Sequence, residues 1–289
     1  MNQKATCKVD GDSVLLRGVS CFDVETIFES GQNFRFLPAD ERRREYRGVA
    51  MGRPLSVRQL SGDTLRLYPC TQRQYHLLWR PYFDMDCDYL AISRQLRSRD
   101  EHFALASDSC SGLRILRQEP FETVIGFIVS ANNHVQRIRG IMGRIAETWG
   151  QAISAPWGGQ YAFPEAEALA CADENQLREL GAGYRDRYIV GAARMIASGE
   201  VDLGLAHRLP AEQARKLLMK LPGVGEKVAD CIMLFSLDFK DVFPADTWVK
   251  RIAAGVYNKK AAELIELFSP HAGYAQQLLF HYHRVVRRK

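Results

Sequence analysis

The chain has 289 residues, 46% apolar and 25% charged, an ordinary globular balance with room for two domains or one large one. A net charge of +5 is too small to demonstrate or exclude a polyanionic partner, so local clusters carry more information than the total. Met1 to Asp10 lacks the apolar core of a secretory signal, and runs such as Val124 to Val129 are too short to cross a bilayer. The expectation is a soluble, intracellular protein with no membrane partner. The seven cysteines (Cys7, Cys21, Cys70, Cys87, Cys110, Cys171 and Cys231) are odd in number and form no CxxC pair, which indicates neither a disulfide framework nor a zinc site.

From Ser13 to about Pro69 the segments SVLLRGV, EYRGVAM, LSVRQL and TLRLYP alternate apolar and polar residues between turn signals, so an antiparallel sheet is predicted. A short helix falls between its first two strands, within Phe22 to Phe36, and runs into the turn Ser30-Gly31-Gln32. The charged run Glu41 to Glu45 is acidic at both ends and reads as a solvated loop. From Gln72 the period becomes helical, with Tyr75, Leu78, Trp79, Tyr89, Leu90 and Ile92 at three- and four-residue steps, a pattern of core aromatics. A proline after a polar stretch at Arg117 to Pro120 marks a boundary. The expected domains are residues 1–116, a β-sheet domain with a helical extension, and 117–289, a helical domain.

Phe121 to Ala131 reads as a buried helix ending in Asn132-Asn133-His134, and Val135 to Trp149 as an amphipathic one. Ala155 to Pro164 reads as a loop. Ala211 to Lys220 has helical spacing and Val228 to Leu237 is apolar around most of its circumference. Between them, Pro222-Gly223-Val224-Gly225 reads as a tight hairpin, because its glycines admit conformations closed to other residues. The unit is helix, hairpin, helix over about residues 211–237. N–H groups exposed at Gly223, Val224 and Gly225, before a helix N-terminus, form an anion site suited to a phosphate. Lys227 stands in the first turn of the second helix, where the macrodipole disfavours an ammonium, so it is a candidate nucleophilic amine. Asp246, after Pro244-Ala245, precedes another helix and by itself reads as an N-cap.

LPGVGEKVADC followed by Pro-Ala-Asp resembles the helix-hairpin-helix DNA glycosylases with a Gly/Pro-rich loop and a catalytic aspartate, and its wording is nearest the 8-oxoguanine DNA glycosylase/AP lyase family. Four further motifs resemble the same family in order: SGQNFR from Ser30, SANNHVQRI from Ser130, GAGYRDRY from Gly181 and AQQLLF from Ala275. The resemblance implies an α+β fold, a β-rich N-terminal domain joined to a helical glycosylase body. It implies Lys227 as the nucleophile that makes a Schiff base and Asp246 as its activator. Asn132, Arg137, Tyr184 and Arg185 hold the orphaned base and wedge the stack, while Gly31, Cys231, Gln276 and Phe280 line the lesion pocket. The implied partner is double-stranded DNA carrying 8-oxoguanine, bound by a monomer.

No cofactor is required by that chemistry, although the hairpin carbonyls could take a monovalent cation. Related branches carry an iron-sulfur cluster on four cysteines after the catalytic aspartate; here no cysteine follows Cys231, so no such cluster is expected. Two departures stand out: His134 replaces a third asparagine, and Trp248 stands where several relatives have histidine, so that histidine's phosphate contact is not carried over. Two other readings stay open: a glycosylase of the same superfamily with another lesion or relaxed opposite-base choice, and a non-catalytic DNA-binding protein using the hairpin as a phosphate clamp. The Lys227 and Asp246 pair argues against the latter.

Overall fold

The structure, a computed structural model, describes residues 6–286. The run Arg284 to Lys289 is basic and by itself reads as a DNA-backbone contact or a solvated tail; Arg287, Arg288 and Lys289 of it lie outside the described residues. The chain forms two compact units, the first comprising Met1–Gly48, Leu55–Arg117 and Lys240–Lys289, the second Val49–Pro54 and Gln118–Phe239. The unit that begins near residue 117 therefore stops at Phe239 rather than at the C-terminus. Lys240 ties the returning chain to the first unit: its Nζ lies 3.1 Å from Asp84 Oδ2 and its carbonyl accepts from Gly273 N at 3.0 Å.

Six antiparallel strands, in the first unit apart from the β4–β5 turn at Val49–Pro54, run β1 (Thr6–Asp10), β2 (Ser13–Arg17), β3 (Leu37–Pro38), β4 (Glu45–Ala50), β5 (Arg53–Ser61) and β6 (Thr64–Tyr68), in the spatial order β1-β2-β6-β5-β4-β3. Val14 pairs with Leu67 and Leu16 with Leu65, so the alternating apolar residues read from the sequence meet on one buried face. Helix α1 (Val24–Glu29) is capped by Asp23, which accepts from Thr26 N at 2.8 Å. Its Phe28 stacks on Phe36 and Tyr46, with centroids 4.4 and 5.2 Å apart. Buried Gln59 of β5 donates to Phe22 O at 2.8 Å and accepts from Val24 N at 3.0 Å. A core polar side chain thus sets where α1 starts, and hence where Ser30-Gly31-Gln32 emerges.

The helical extension has a π turn, Tyr75–Trp79, between Gln72–Gln74 and Arg80–Tyr82, followed by α2 (Tyr89–Arg97) and α3 (Glu101–Ser109). Tyr75, Trp79 and Tyr89 are core, as their spacing predicts, whereas Leu90 faces solvent.

The second unit contains α4 (Pro120–Ser130), α5 (Val135–Trp149), α6 (Asp186–Ala197), α7 (Ala211–Leu218) and α8 (Glu226–Ser236). Glu119 caps α4, accepting from Phe121 N and Glu122 N; burial pushes its carboxyl up, against the opposing pull of these N–H groups. Helices α4 and α8 pack together, with Phe127 stacked on Phe235 at 5.5 Å. The segment read as a loop from Ala155 is instead partly paired: β7 (Ala152–Ala155) and β8 (Gly158–Tyr161) make a small hairpin turning at Pro156-Trp157, with Gly158 at φ +118°. The chain closes, back in the first unit, with α9 (Thr247–Val256) and α10 (Ala272–His281), the latter buried almost all round. Among the described residues no helix is long and apolar enough to cross a membrane.

Arg114, like Asp84, is a buried charge of the first unit, 3% exposed. It donates to the carbonyls of Ser20, Cys21 and Asp84 at 2.7 to 2.9 Å, and its guanidinium lies 4.8 Å from the Tyr89 ring centroid. Arg114→Leu would strand three carbonyls, so a loss of about 3 kcal/mol or more is expected in chemical denaturation.

Candidate active site

The hairpin forms because α7 ends at Leu218 and the chain turns twice, with Leu221 N donating to Leu218 O at 3.0 Å and Val224 N to Leu221 O at 3.1 Å. Gly223 has φ +80°, and a Cβ on it would stand 3.0 to 3.1 Å from Tyr188 Cδ2, Cβ and Cγ. Pro222 lies against Gly191, where an added Cβ would meet its Cγ at 3.0 Å. Two glycines thus let the hairpin press onto α6. Val224 is buried while Gly223 and Gly225 are exposed. Gly225 caps α8 without a side chain, and nothing lies within 4 Å of its would-be Cβ, so the leading N–H groups of α8 have no side-chain acceptor.

Lys227 follows in the first turn of α8 and is half-buried, its Nζ 5.4 Å from the Phe127 ring centroid. Among the described residues it makes no ion pair. Cys231 lies one turn further along the same helix face and is buried.

Asn132, at φ +49°, ends the α4 turn in an exposed position. His134 caps α5, its Nδ1 accepting from Arg137 N at 3.3 Å. A histidine therefore does the capping that an asparagine could do at the same place. Gly181 and Gly183, at φ +95° and +60°, bend the chain so that Tyr184 projects with 51% of its surface exposed. Arg185 behaves differently. It is 5% exposed, stacks 4.4 Å from the Tyr184 centroid, and donates to the carbonyls of Ala131 (3.0 Å from Nε), Ala182 (3.2 Å) and Asn132 (3.4 Å). Arg137 reaches Gly181 O at 3.4 Å. The four residues predicted for the orphaned base are thus brought together, but Arg185 spends its donors on holding the Asn132 turn. Tyr184 also meets Tyr188 edge-on at 6.2 Å, and Tyr188 is the residue under Gly223, so Tyr184 and the hairpin are one packed assembly.

In the first unit, Gly31 has φ +85° and lies beside Phe280, whose Cε1 is 3.7 Å from its would-be Cβ. Gln32 is buried and fully used: Nε2 donates to Arg114 O at 2.8 Å and Oε1 accepts from Leu116 N at 2.9 Å. Gln277 of α10 donates to Ser30 O at 2.9 Å. Gln276 is 4% exposed, and its buried Oε1 has no hydrogen-bond partner among the described residues. An unsatisfied buried amide oxygen on the helix that also carries Phe280 and Gln277 is suited to a ligand donor. Asp246 caps α9, Oδ1 accepting from Val249 N at 2.8 Å. Its Oδ2 is left without a partner among the described residues, so one carboxylate both orients the helix and retains a free oxygen. Trp248 is half-buried and stacks under Arg251, 5.6 Å from the guanidinium carbon.

Residues 14–124 match the model of the 8-oxoguanine DNA glycosylase N-terminal domain, and residues 125–269 that of the HhH-GPD superfamily base excision DNA repair proteins. The chain belongs to the 8-oxoguanine DNA glycosylase family. Among solved structures of the family, an Ogg1 designated MBOgg1, in complex with a low-affinity DNA ligand, shares 35% identity and a TM-score of 0.94, over 99% of this chain and 100% of that one. The Clostridium acetobutylicum 8-oxoguanine glycosylase/lyase, in complex with double-stranded DNA containing cytosine opposite 8-oxoG, shares 34% identity and a TM-score of 0.92 over 98% of each chain. The N-glycosylase/DNA lyase OGG1 of Arabidopsis thaliana is 28% identical over 276 residues, 88% of this chain and 75% of the plant protein.

Sequence reasoning missed Phe127 and Gln277. Nothing local marks Phe127, which meets Lys227 only through the packing of α4 on α8. Gln277 had a signal, a second glutamine in a helix too buried to leave an amide idle. Replacement of the two hairpin glycines should separate their roles. Gly223→Ala, strained in φ and crowded by Tyr188, is expected to cost about 1–3 kcal/mol in thermal denaturation and to weaken duplex binding in a filter assay. Gly225→Ser, with φ −93° and open space, is expected to stay within about 0.5 kcal/mol of wild type.

Proposed function

We propose that the protein is a bifunctional DNA glycosylase and AP lyase that excises 8-oxoguanine, preferentially opposite cytosine. The observation that carries this reading is Lys227, an amine with no ion pair among the described residues, heading the hairpin helix of a chain in this family. The free Oδ2 of Asp246 and the unsatisfied Oε1 of Gln276 support it.

The damaged nucleotide leaves the duplex at a cost of roughly a few kcal/mol. Tyr184 fills the gap. Asn132 and Arg137 hold the orphaned cytosine, whose O2 and N3 accept from a guanidinium, and Arg185 joins them by exchanging a carbonyl partner. Gln276 meets the Watson-Crick edge of the lesion and Phe280 stacks on it. The Gly31 carbonyl accepts the hydrogen that 8-oxoguanine carries on N7, whereas guanine presents a lone pair there. One such contact is worth about 1–3 kcal/mol, or roughly one to two orders of magnitude in favour of the lesion.

As the base leaves with the C1′–N9 electron pair, the Asp246 carboxylate stabilises the oxocarbenium character at C1′. The Lys227 amine bonds to C1′ and the sugar opens to a Schiff base. Loss of a C2′ proton then breaks the C3′–O bond, nicking the strand 3′ to the lesion. Amine and carboxylate suffice for these steps without a metal or organic cofactor, and hairpin carbonyls can hold a monovalent cation while the N–H groups grip phosphate. The protein works as a monomer on one duplex.

Borohydride added during reaction with an 8-oxoguanine:cytosine duplex should trap a covalent crosslink, and Lys227→Gln should abolish it. No crosslink and no nicking by the wild type would refute the reading. Asp246→Asn is expected to slow excision about 10²- to 10³-fold. Cleavage with each of the four bases opposite the lesion should be fastest for cytosine; equal rates would leave excision standing but remove the preference.

A further inference from the structure

Helix α10 does not end cleanly at His281 but continues as a π turn, Tyr282–Val286. Gln276, Phe280 and Arg284 follow one another at four-residue steps. In an α-helix each such step drifts about 40° around the axis, and the wider π turn removes part of that drift for the second step. Arg284 consequently lies back over Phe280, its guanidinium carbon 5.0 Å from the ring centroid. Its Nη1 and Nη2 are 3.5 and 3.9 Å from the point where a Cβ on Gly31 would stand, and Phe280 Cε1 is 3.7 Å from the same point. A glycine turn, an aromatic plate and a guanidinium therefore share one corner of the first unit. The side chain is half-buried rather than splayed into solvent as a tail residue would be.

We propose that Arg284 is a positioning residue of the lesion pocket, and this rests on the glycosylase reading above. By stacking on Phe280 the guanidinium holds the plate against the Gly31 turn. It also sets a fixed positive charge beside the turn that faces the N7–O8 edge of the lesion, where the 8-oxo oxygen carries partial negative charge and where the departing purine gathers more. The charge thus assists both seating and departure of the base, and it acts only once a base is in the pocket.

The test compares Arg284→Met, which keeps the packing stem without the charge, with Arg284→Lys, which keeps the charge without the planar fork. Single-turnover excision from an 8-oxoguanine:cytosine duplex is measured beside affinity for a duplex with a tetrahydrofuran abasic analogue, which puts no base in the pocket. Arg284→Met is expected to slow excision about tenfold or more while tetrahydrofuran affinity stays within about twofold, and Arg284→Lys to recover to within about threefold of wild type. Thermal melting of each variant separates these effects from loss of fold, and if the methionine variant does not fold, Arg284→Gln takes its place. Wild-type excision by the uncharged variant overturns the proposal. So does an equal loss of excision and tetrahydrofuran affinity, which makes Arg284 a backbone contact, or a lysine variant no better than the methionine one. Failure of the wild type to excise overturns this and the glycosylase reading together, whereas wild-type excision unmatched by any Arg284 effect overturns this one alone.

Discussion

The close approach of Gly223 to Tyr188 is the contact on which the second unit depends. A left-handed residue with no side chain lets the hairpin lie against α6 at a distance that would crowd a Cβ. That contact sets the direction in which α8 leaves the hairpin, and so the position of Lys227 over Phe127. The same tyrosine touches Tyr184, whose neighbour Arg185 ties down the Ala131 and Asn132 carbonyls. The hairpin, the Lys227 amine, Tyr184 and the Asn132 turn are thus referred to one another through a short chain of packed side chains.

The first unit solves a different problem, the fixing of a turn through glycine, the most conformationally free residue type. Gly31 is held from both flanks by buried glutamines, Gln32 reaching Arg114 O and Leu116 N, and Gln277 reaching Ser30 O. Each of these amides would cost stability if left unpaired, so the turn is fixed by the need to satisfy them. Arg114, inserted among the carbonyls of Ser20, Cys21 and Asp84, extends the same network into the core. Gln276 differs from its neighbour Gln277: its buried Oε1 has no hydrogen-bond partner among the described residues.

Charge is handled with similar economy. Arg185 looks from its sequence context like a reader of bases, yet its fork is occupied by protein carbonyls. Arg284 looks like part of a solvated basic tail, yet it stacks on Phe280. In both cases a delocalised guanidinium tolerates partial burial because it can stack and donate at once.

The sequence by itself determined most of the elements and the family. Alternation marked most of the strands, helical spacing marked α5 and α7, apolar runs marked α4 and α8, and the Gly-rich hairpin with Lys227 and the Pro-Ala-Asp turn carried the resemblance to a glycosylase/lyase family. These are local signals, carried by residue type and spacing. Only the tertiary structure decided that the chain returns to the first unit at Lys240, that Phe127 sits by Lys227, that Arg185 faces inward, and that Arg284 belongs beside Gly31. Such facts depend on which buried polar and aromatic groups find one another across tens to hundreds of residues, and no local spacing encodes that pairing.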